Sequence, residues 1–340
     1  MKRRLLVAGV VAAGVVAVGL TALPRLSDAQ QSFTFALVPK AMNNPFFDLA
    51  RDGCMQAQRD SNGRFTCLYI GPGEHTETEQ VQIVQDLITR RVAGIAVSPS
   101  NAPAMARALR AAREAGIPTI TWDADLLPAD AQYRTTFIGT RNYNIGVELA
   151  KLAQQLKPNG GRICLQTGGA AADNHNQRLQ GIRDTLSGAT DTRPPGTQLT
   201  GQRGWTEVAG CPLITNDDGA VAVQQLADIL GRYPDLDVFI TTGAFTQWSD
   251  NAFRQAIGRY RERLASNSLI FLSADTLAMQ MQQLRDGLSH GQVGQRPFQM
   301  GVLAMQRLLD IREGRQVPDP IYTGLDICTR ANAATCLNSN

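Results

Sequence analysis

Polar and aromatic side chains follow the ends of several apolar, β-branched segments of the chain. The set combines carboxylates, amides, one guanidinium, aromatic rings and one glycine: Asn44, Phe46, Phe47, Trp122, Asp123, Asp125, Asn174, Arg178, Gly243, Asp275 and Gln295. Charged and amide groups satisfy hydroxyls, which both donate and accept hydrogen bonds. Aromatic rings pack against apolar C–H faces. The mixture therefore predicts a site for a sugar or a related polyol.

Several of these residues also have a purely structural explanation. Asn174 and Asp275 are typical helix N-caps, since a side-chain oxygen at a strand end often accepts from the next helix. Phe46, Phe47 and Trp122 are compatible with core packing. Adjacent aromatics on a helix point in different directions, however, which favours one of the two phenylalanines in a site.

Catalytic and metal-binding signatures are missing from the sequence. There is no GxSxG elbow and no GxxxxGK[ST] loop, and Gly71–Thr76 (GPGEHT) is interpreted as a turn, because Pro72 removes a backbone donor. Asp123 and Asp125 are two positions apart on a strand end and would point the same way. A catalytic acid–base pair of the glycosidase kind therefore remains an alternative for them. The three histidines are widely separated and no CxxC occurs, which disfavours zinc. We predict a binding protein without a cofactor, a metal or catalytic residues; an exported sugar-active enzyme is the alternative.

Alternating strand and helix patterns must position these side chains. Near-continuous apolar runs, typical of parallel strands buried on both faces, occur at Phe33–Pro39, Phe65–Ile70, Gly94–Ser98, Thr119–Asp123, Thr136–Thr140, Arg162–Thr167, Asp237–Thr242 and Leu269–Asp275, with a weaker one at Gln292–Gln295. Amphipathic stretches separate them. The pattern predicts an α/β fold with parallel sheets in two lobes, and ligands of such sheets bind beyond the carboxyl ends of the strands.

The positive charge of the chain lies at its N-terminus. The net charge of the 340 residues is +3, yet residues 30–340 contain 29 basic and 29 acidic side chains. Lys2–Arg4 precede the apolar run Leu5–Leu20, and a small-x-small site ends at Ala29, which predicts a cleaved secretory signal peptide; an uncleaved anchor stays open. A neutral body disfavours electrostatic binding of nucleic acid.

Six cysteines fit an exported protein. Cys54 and Cys67 are close enough in sequence for a local disulfide, and so are Cys328 and Cys336. Cys164 and Cys211 remain, each on or beside a strand of the second half. The sequence leaves this pairing open, and Cys164 is also compatible with a buried thiol.

Seven segments in order resemble the type I periplasmic sugar-binding proteins, the receptor subunits of ABC importers for ribose, xylose, rhamnose and similar ligands. They are LVPKAMNNPFFDLARDG at 37–53, GIAVSPSNAPAMARALRAAREAGIPTITWDAD at 94–125, FIGTRNYNIG at 137–146, DNHNQRLQG at 173–181, SAD at 273–275, GQRPFQMG at 294–301 and YTGLD at 322–326. The resemblance implies two Rossmann-like lobes joined by a three-crossing hinge that close over a monosaccharide.

By matching position, the resemblance implies that one lobe holds the sugar and that the other lobe or the hinge completes the site. The implied contacts are Asn44, Phe46, Phe47 and Asp123 on one side and Arg178, Asp275 and Gln295 on the other. Ribose binders have an arginine where this chain has Ala124 and an asparagine near Gly243. The identity of the sugar is therefore left open.

The predicted organisation is a signal peptide at 1–29, an N-terminal lobe at 30–140 plus 296–324, and a C-terminal lobe at 141–295 plus 325–340. The implied protein is a periplasmic monomer that captures a monosaccharide and delivers it to the membrane permease of an ABC transporter. Presentation of a sugar or furanosyl signal to a membrane sensor or chemoreceptor is the alternative.

Overall fold

Two β-sheets, each covered by helices, organise the chain. The structure is a computed structural model that describes residues 32–190 and 192–337. The predicted signal peptide lies outside these residues. Within them, no helix has both the length and the apolarity that a bilayer crossing requires.

Thirteen strands occur in the part of the chain that the structure describes. They are β1 (Phe33–Val38), β2 (Phe65–Tyr69), β3 (Gly94–Val97), β4 (Thr119–Trp122), β5 (Thr136–Gly139), β6 (Gly161–Thr167), β7 (Trp205–Glu207), β8 (Leu213–Ile214), β9 (Val238–Thr241), β10 (Ile270–Ala274), β11 (Gly291–Gly294), β12 (Ile321–Tyr322) and β13 (Asp326–Thr329). Every predicted strand is present, with ends shifted by no more than one residue. Four strands were not predicted. β7, β8 and β12 have only two or three residues, and β13 is an antiparallel edge strand without a continuous apolar run.

Helices alternate with these strands. They are α1 (Pro45–Asp60), α2 (Glu77–Thr89), α3 (Ala102–Glu114), α4 (Asn142–Leu156), α5 (Asp173–Ser187), α6 (Gly219–Arg232), α7 (Phe245–Trp248), α8 (Asp250–Gly258), α9 (Arg261–Ala265), α10 (Ala278–Arg285) and α11 (Pro297–Arg312), with 3₁₀ turns at Pro128–Tyr133 and Gln202–Gly204. Asn44 and Asn101 cap α1 and α3 through their side chains, and a proline in the first turn favours each start.

The first sheet has the strand order β12-β5-β4-β3-β1-β2, and all its pairs are parallel. The second has the order β13-β11-β10-β9-β6-β7, with β8 also paired to β6, and only β13 runs antiparallel. Side chains of β1 alternate between two apolar clusters, with Phe35 and Leu37 on one face and Ala36 and Val38 on the other. Burial on both faces explains the continuous apolar runs. The predicted α/β fold is confirmed.

The chain passes between the sheets three times. The passages lie between β5 and α4, between β11 and α11, and between β12 and β13. We call each sheet with the helices packed on it a lobe. The residue boundaries of the lobes stay a prediction.

One helix pair in each lobe packs at very close range through reciprocal glycines. A Cβ on Gly53 of α1 would lie 2.0 Å from the carbonyl oxygen of Phe298, and one on Gly301 of α11 would lie 2.0 Å from that of Ala50. In the other lobe, a Cβ on Gly146 of α4 would lie 2.0 Å from a carbonyl oxygen of α5. Only glycine allows the backbones to approach this closely.

Three disulfides pair all six cysteines: Cys54–Cys67, Cys164–Cys211 and Cys328–Cys336. They join α1 to β2, β6 to the segment before β8, and β13 to the C-terminal turns. The disulfide framework is thus confirmed. The alternative of a buried free thiol at Cys164 is wrong, because Cys211 lies within bonding distance of it.

Candidate ligand-binding site

A narrow cavity lies between the two sheets, at the carboxyl ends of their strands. It is lined from both lobes by Lys40, Asn44, Phe46, Phe47, Asp123, Asn174, His175, Arg178, Asp217, Gly243, Ala244, Phe245, Trp248, Asp275 and Gln295. Parallel strands of each sheet end at one edge, so residues distant in sequence converge there. The cavity therefore gathers the predicted site residues, apart from Trp122 and Asp125.

Asp125 points away from the cavity and forms an ion pair with Arg134. The Asp125 Oδ2 to Arg134 Nη2 distance is 2.7 Å, and Asp125 Oδ1 also accepts from the backbone N–H of Leu126. The expectation that Asp123 and Asp125 point the same way is wrong, because Asp123 has a φ of 59° and ends the strand. The alternation of a regular strand no longer applies beyond that residue. The pair has no geometry for acid–base chemistry in the cavity.

Trp122 belongs to the core of the first lobe. Its side chain is fully buried, and its ring meets that of Phe47 edge-on at 5.5 Å between centroids. Phe46 and Phe47 line the cavity from the first turn of α1, so Phe47 has both a core and a cavity contact. Trp122 lies behind Phe47 and supports it.

Asp123 is the centre of a buried polar network that joins the lobes. Its carboxylate accepts from Ser98 Oγ at 2.8 Å and lies 3.7 Å from Lys40 Nζ, both in the first lobe. From the second lobe, Arg178 Nη2 lies 3.5 Å away and Asn174 Nδ2 lies 3.4 Å away. Because these side chains are almost fully buried, their charges and hydrogen bonds act with little screening by water.

Asn142 holds Arg178 in place from the first passage between the sheets. Its Oδ1 accepts from Arg178 Nε at 2.9 Å and Nη2 at 2.7 Å, while its Nδ2 donates to the carbonyl oxygen of Asp123 at 2.9 Å. Arg178 Nη1 also donates to the carbonyl oxygen of Thr242 at 2.7 Å. Asn142 therefore links two cavity residues of different lobes; it lies in the segment 137–146 that carries the resemblance, but it was not predicted as a site residue.

Asp275 and Gln295 form a second polar group in the cavity. Gln295 Nε2 donates to Asp275 Oδ1 at 2.9 Å, and the backbone N–H of Ala244 donates to Oδ2 at 3.2 Å. Burial raises the pKa of Asp275, while the charge of Arg178 opposes that rise. Gln295 Oε1 is buried and has no hydrogen-bond partner among the described residues. It is therefore an acceptor that a ligand hydroxyl can satisfy.

Aromatic rings border the cavity from both lobes. Phe46 comes from α1, whereas Phe245 and Trp248 come from the short helix α7, with their centroids 5.6 Å apart. Such rings offer apolar faces to the C–H groups of a ligand. Neither ring was among the predicted site residues, although both follow the end of β9.

A histidine–aspartate group completes the lining. Asp217 lies 3.3 Å from His75 Nδ1 and 3.5 Å from His175 Nε2. Burial and the nearby charge of Lys40 lower the pKa of His175 to about 4, so its ring is neutral at pH 7. Burial alone would raise the pKa of Asp217, but hydrogen bonds from both histidines and the charge of Lys40 hold it well below its usual value. Lys40, His175 and Asp217 were missed; Asp217 follows β8, a strand too short to detect.

The family of this chain follows from its similarity to known proteins. The sequence model of the periplasmic binding protein domain family matches residues 35–316. The chain belongs to the periplasmic binding protein family. The predicted resemblance to its type I sugar-binding members is confirmed.

Relatives of this periplasmic binding protein are sugar-binding proteins rather than enzymes. A D-ribose/D-allose-binding protein of Pseudomonas aeruginosa is 28% identical over 55% of this chain, and the match spans 59% of that relative. A ribose import binding protein of Bacillus subtilis is 22% identical, with 91% of each chain covered. A solute-binding protein of Burkholderia graminis, solved with D-arabinose, is 27% identical with a TM-score of 0.74, covering 90% of this chain and 98% of that one.

Proposed function

We propose that this protein captures one monosaccharide in the cavity between its lobes and delivers it to the membrane permease of an ABC transporter. The observation that carries the proposal is the composition of the cavity. Two carboxylates, Asp123 and Asp275, face the Arg178 guanidinium and the free acceptor of Gln295, and aromatic rings lie on either side. Hydroxyls and C–H faces alternate around a sugar ring, and this lining complements both.

The charges in the cavity favour a neutral sugar. Lys40 and Arg178 already lie beside Asp123, and Asp217 lies between two histidines. Asp275 shares the charge of Arg178 with Asp123, so among the described residues that line the cavity three carboxylates face two cations, Lys40 and Arg178. An anionic sugar would meet a surplus of buried carboxylates, which repel it strongly where water is scarce. We therefore expect pentoses and hexoses to bind and uronates or sugar phosphates to be rejected. Relatives named for ribose, allose and arabinose support the same class.

Binding is expected to shift an equilibrium between open and closed lobes. The three passages between the sheets act as the hinge, and Asp123 gains its second-lobe partners Asn174 and Arg178 only when the lobes close. A ligand that contacts both lobes stabilises the closed form by its differential affinity. The family and the three disulfides support a periplasmic or extracellular location.

A thermal-shift screen with neutral sugars, polyols, uronates and sugar phosphates tests ligand capture. A neutral monosaccharide should raise the melting temperature by mass action, and titration calorimetry should give a 1:1 complex. No binding across the neutral panel, or preferential binding of a uronate, would contradict the proposed ligand class.

Delivery is tested in the source organism. Deleting the gene should abolish uptake of the radiolabelled sugar identified by the screen, and the wild-type gene should restore it. Normal uptake with a lost chemotactic response to that sugar would instead indicate presentation to a membrane sensor.

A further inference from the structure

His75 and Asp217 join the two lobes at the side of the cavity farthest from the hinge. His75 follows β2, the strand of the first sheet most distant from the β12 edge, and Asp217 follows β8, beside β6 and away from the β13 edge. His75 Nδ1 lies 3.3 Å from Asp217 Oδ2, and the two side chains are only 5% and 2% exposed. The strand order therefore places this contact away from the β12 and β13 edges, where the chain passes between the lobes.

The backbone conformation around this contact allows the two side chains to approach each other. Asn216 and Asp217 both have positive φ values, 50° and 57°, which cost free energy in residues other than glycine and persist where the surroundings enforce them. A Cβ on Gly168 would lie 2.1 Å from Asp217 Oδ1, and one on Gly169 would lie 3.2 Å from His75 Nε2. The diglycine after β6 therefore lets the backbone cover the pair.

The pair also forms the boundary between the cavity and an outer groove. That groove is lined by His75, Glu74, Asp217 and Trp248 among others. Asp217 and Trp248 line the cavity as well, whereas His75 lines only the groove. A backbone hydrogen bond from Ala102 to Ala171, at 3.1 Å, joins the lobes nearby. His75 thus stands between a bound ligand and solvent without lining the cavity.

We propose that His75 and Asp217 form an interlobe latch that sets how long the closed protein retains its ligand. His75 is then a positioning residue: it acts on the ligand through Asp217 and the closed lobes. This inference rests on the proposed function, because retention presupposes a ligand in the cavity. When the lobes open, the buried hydrogen bond between His75 and the charged Asp217 must break before the lobes can separate. This requirement slows release of the ligand more than its capture.

Stopped-flow dissociation of the sugar identified by the screen tests the latch in the full mature protein. His75→Ala should release the sugar about tenfold faster, with a much smaller change in the association rate, since one hydrogen bond to a charge is lost. His75→Asn places an amide nitrogen near the position of Nδ1 and should restore slow release. Glu74→Ala is the matched control, because the Glu74 side chain lines the same groove without a hydrogen bond or ion pair to the described residues. Equal dissociation rates for His75→Ala and wild type would overturn the latch.

Spin-label distances provide a measurement that needs no sugar. Gln85→Cys on α2 and Gln224→Cys on α6 place nitroxides on exposed positions of the two lobes, and the native cysteines are all in disulfides. His75→Ala should shift the ligand-free distance distribution towards longer separations, and identical distributions would overturn the latch. If no sugar binds the wild type, the proposed function fails, and this measurement alone decides the latch.

Discussion

Asp123 and Asp125 are close in sequence, but their surroundings separate their roles. Asp123 is bonded within the cavity to groups of both lobes, whereas Asp125 is bound to Arg134 outside it. Asp123→Ala and Arg178→Ala should each weaken sugar binding by roughly 100-fold, because each leaves a buried charge without its partner. Titration calorimetry measures the loss.

Asp125→Asn is the control for both variants. It should leave the affinity unchanged and lower the free energy of unfolding by about 2 kcal/mol, since Arg134 loses a charged partner that is mostly buried. Unchanged affinity in Asp123→Ala and Arg178→Ala, or a comparable loss in Asp125→Asn, would refute the site assignment.

Asp173 should make stability depend on pH. It begins α5 and accepts a hydrogen bond from Gln177, but burial raises its pKa to about 6. The folded protein therefore binds more protons than the unfolded chain between about pH 4 and 6, and stability falls as the pH rises through that window. Asp173→Asn should be more stable than wild type at pH 8 and nearly equal to it at pH 4. Urea unfolding at the two pH values checks this, and a difference that is the same at both would contradict it.

Helix packing positions Arg178 through Gly146. Gly146→Ala on α4 would place a methyl group 2.0 Å from the Arg178 carbonyl oxygen, so α5 must move and carry the guanidinium with it. We expect a loss of about 2 kcal/mol in unfolding free energy together with weaker sugar binding. Gly231→Ala on α6 is the matched control: its Cβ would meet nothing within 4 Å, and it should gain up to about 1 kcal/mol.

Denaturant unfolding and calorimetry on both glycine variants measure these effects. A Gly146→Ala protein that is as stable and binds as tightly as wild type would show that the helices separate without strain.

The strands were predictable where burial on both faces produces a continuous run of apolar residues in the sequence. The long strands are buried on both faces, and placing polar residues at their carboxyl ends located most of the cavity lining. Prediction failed where the local backbone departs from a regular element. The positive φ of Asp123 redirected Asp125, and the two-residue β8 concealed Asp217. Asn142 was also missed, because its role depends on contacts between residues far apart in sequence.

The disulfides constrain the whole chain unequally. Cys164–Cys211 closes a loop with a sequence separation of 47, against 8 for Cys328–Cys336. Chain entropy predicts a loss of about 4 kcal/mol when the first pair is replaced by alanines and about 2.5 kcal/mol for the second. Unfolding in guanidinium measures both double variants, and a larger loss for Cys328→Ala/Cys336→Ala would contradict the entropic explanation.

The last passage of the chain between the sheets joins the outermost strand of each sheet on the hinge side. β12 and β13 are separated by only three residues, yet each is the outermost strand of a different sheet. Loss of the chain from Ile321 onward would uncover β5 and β11 together, leaving unpaired backbone N–H and C=O groups on both lobes. Proteolytic trimming at this end would therefore leave a protein with two exposed sheet edges that is prone to self-association.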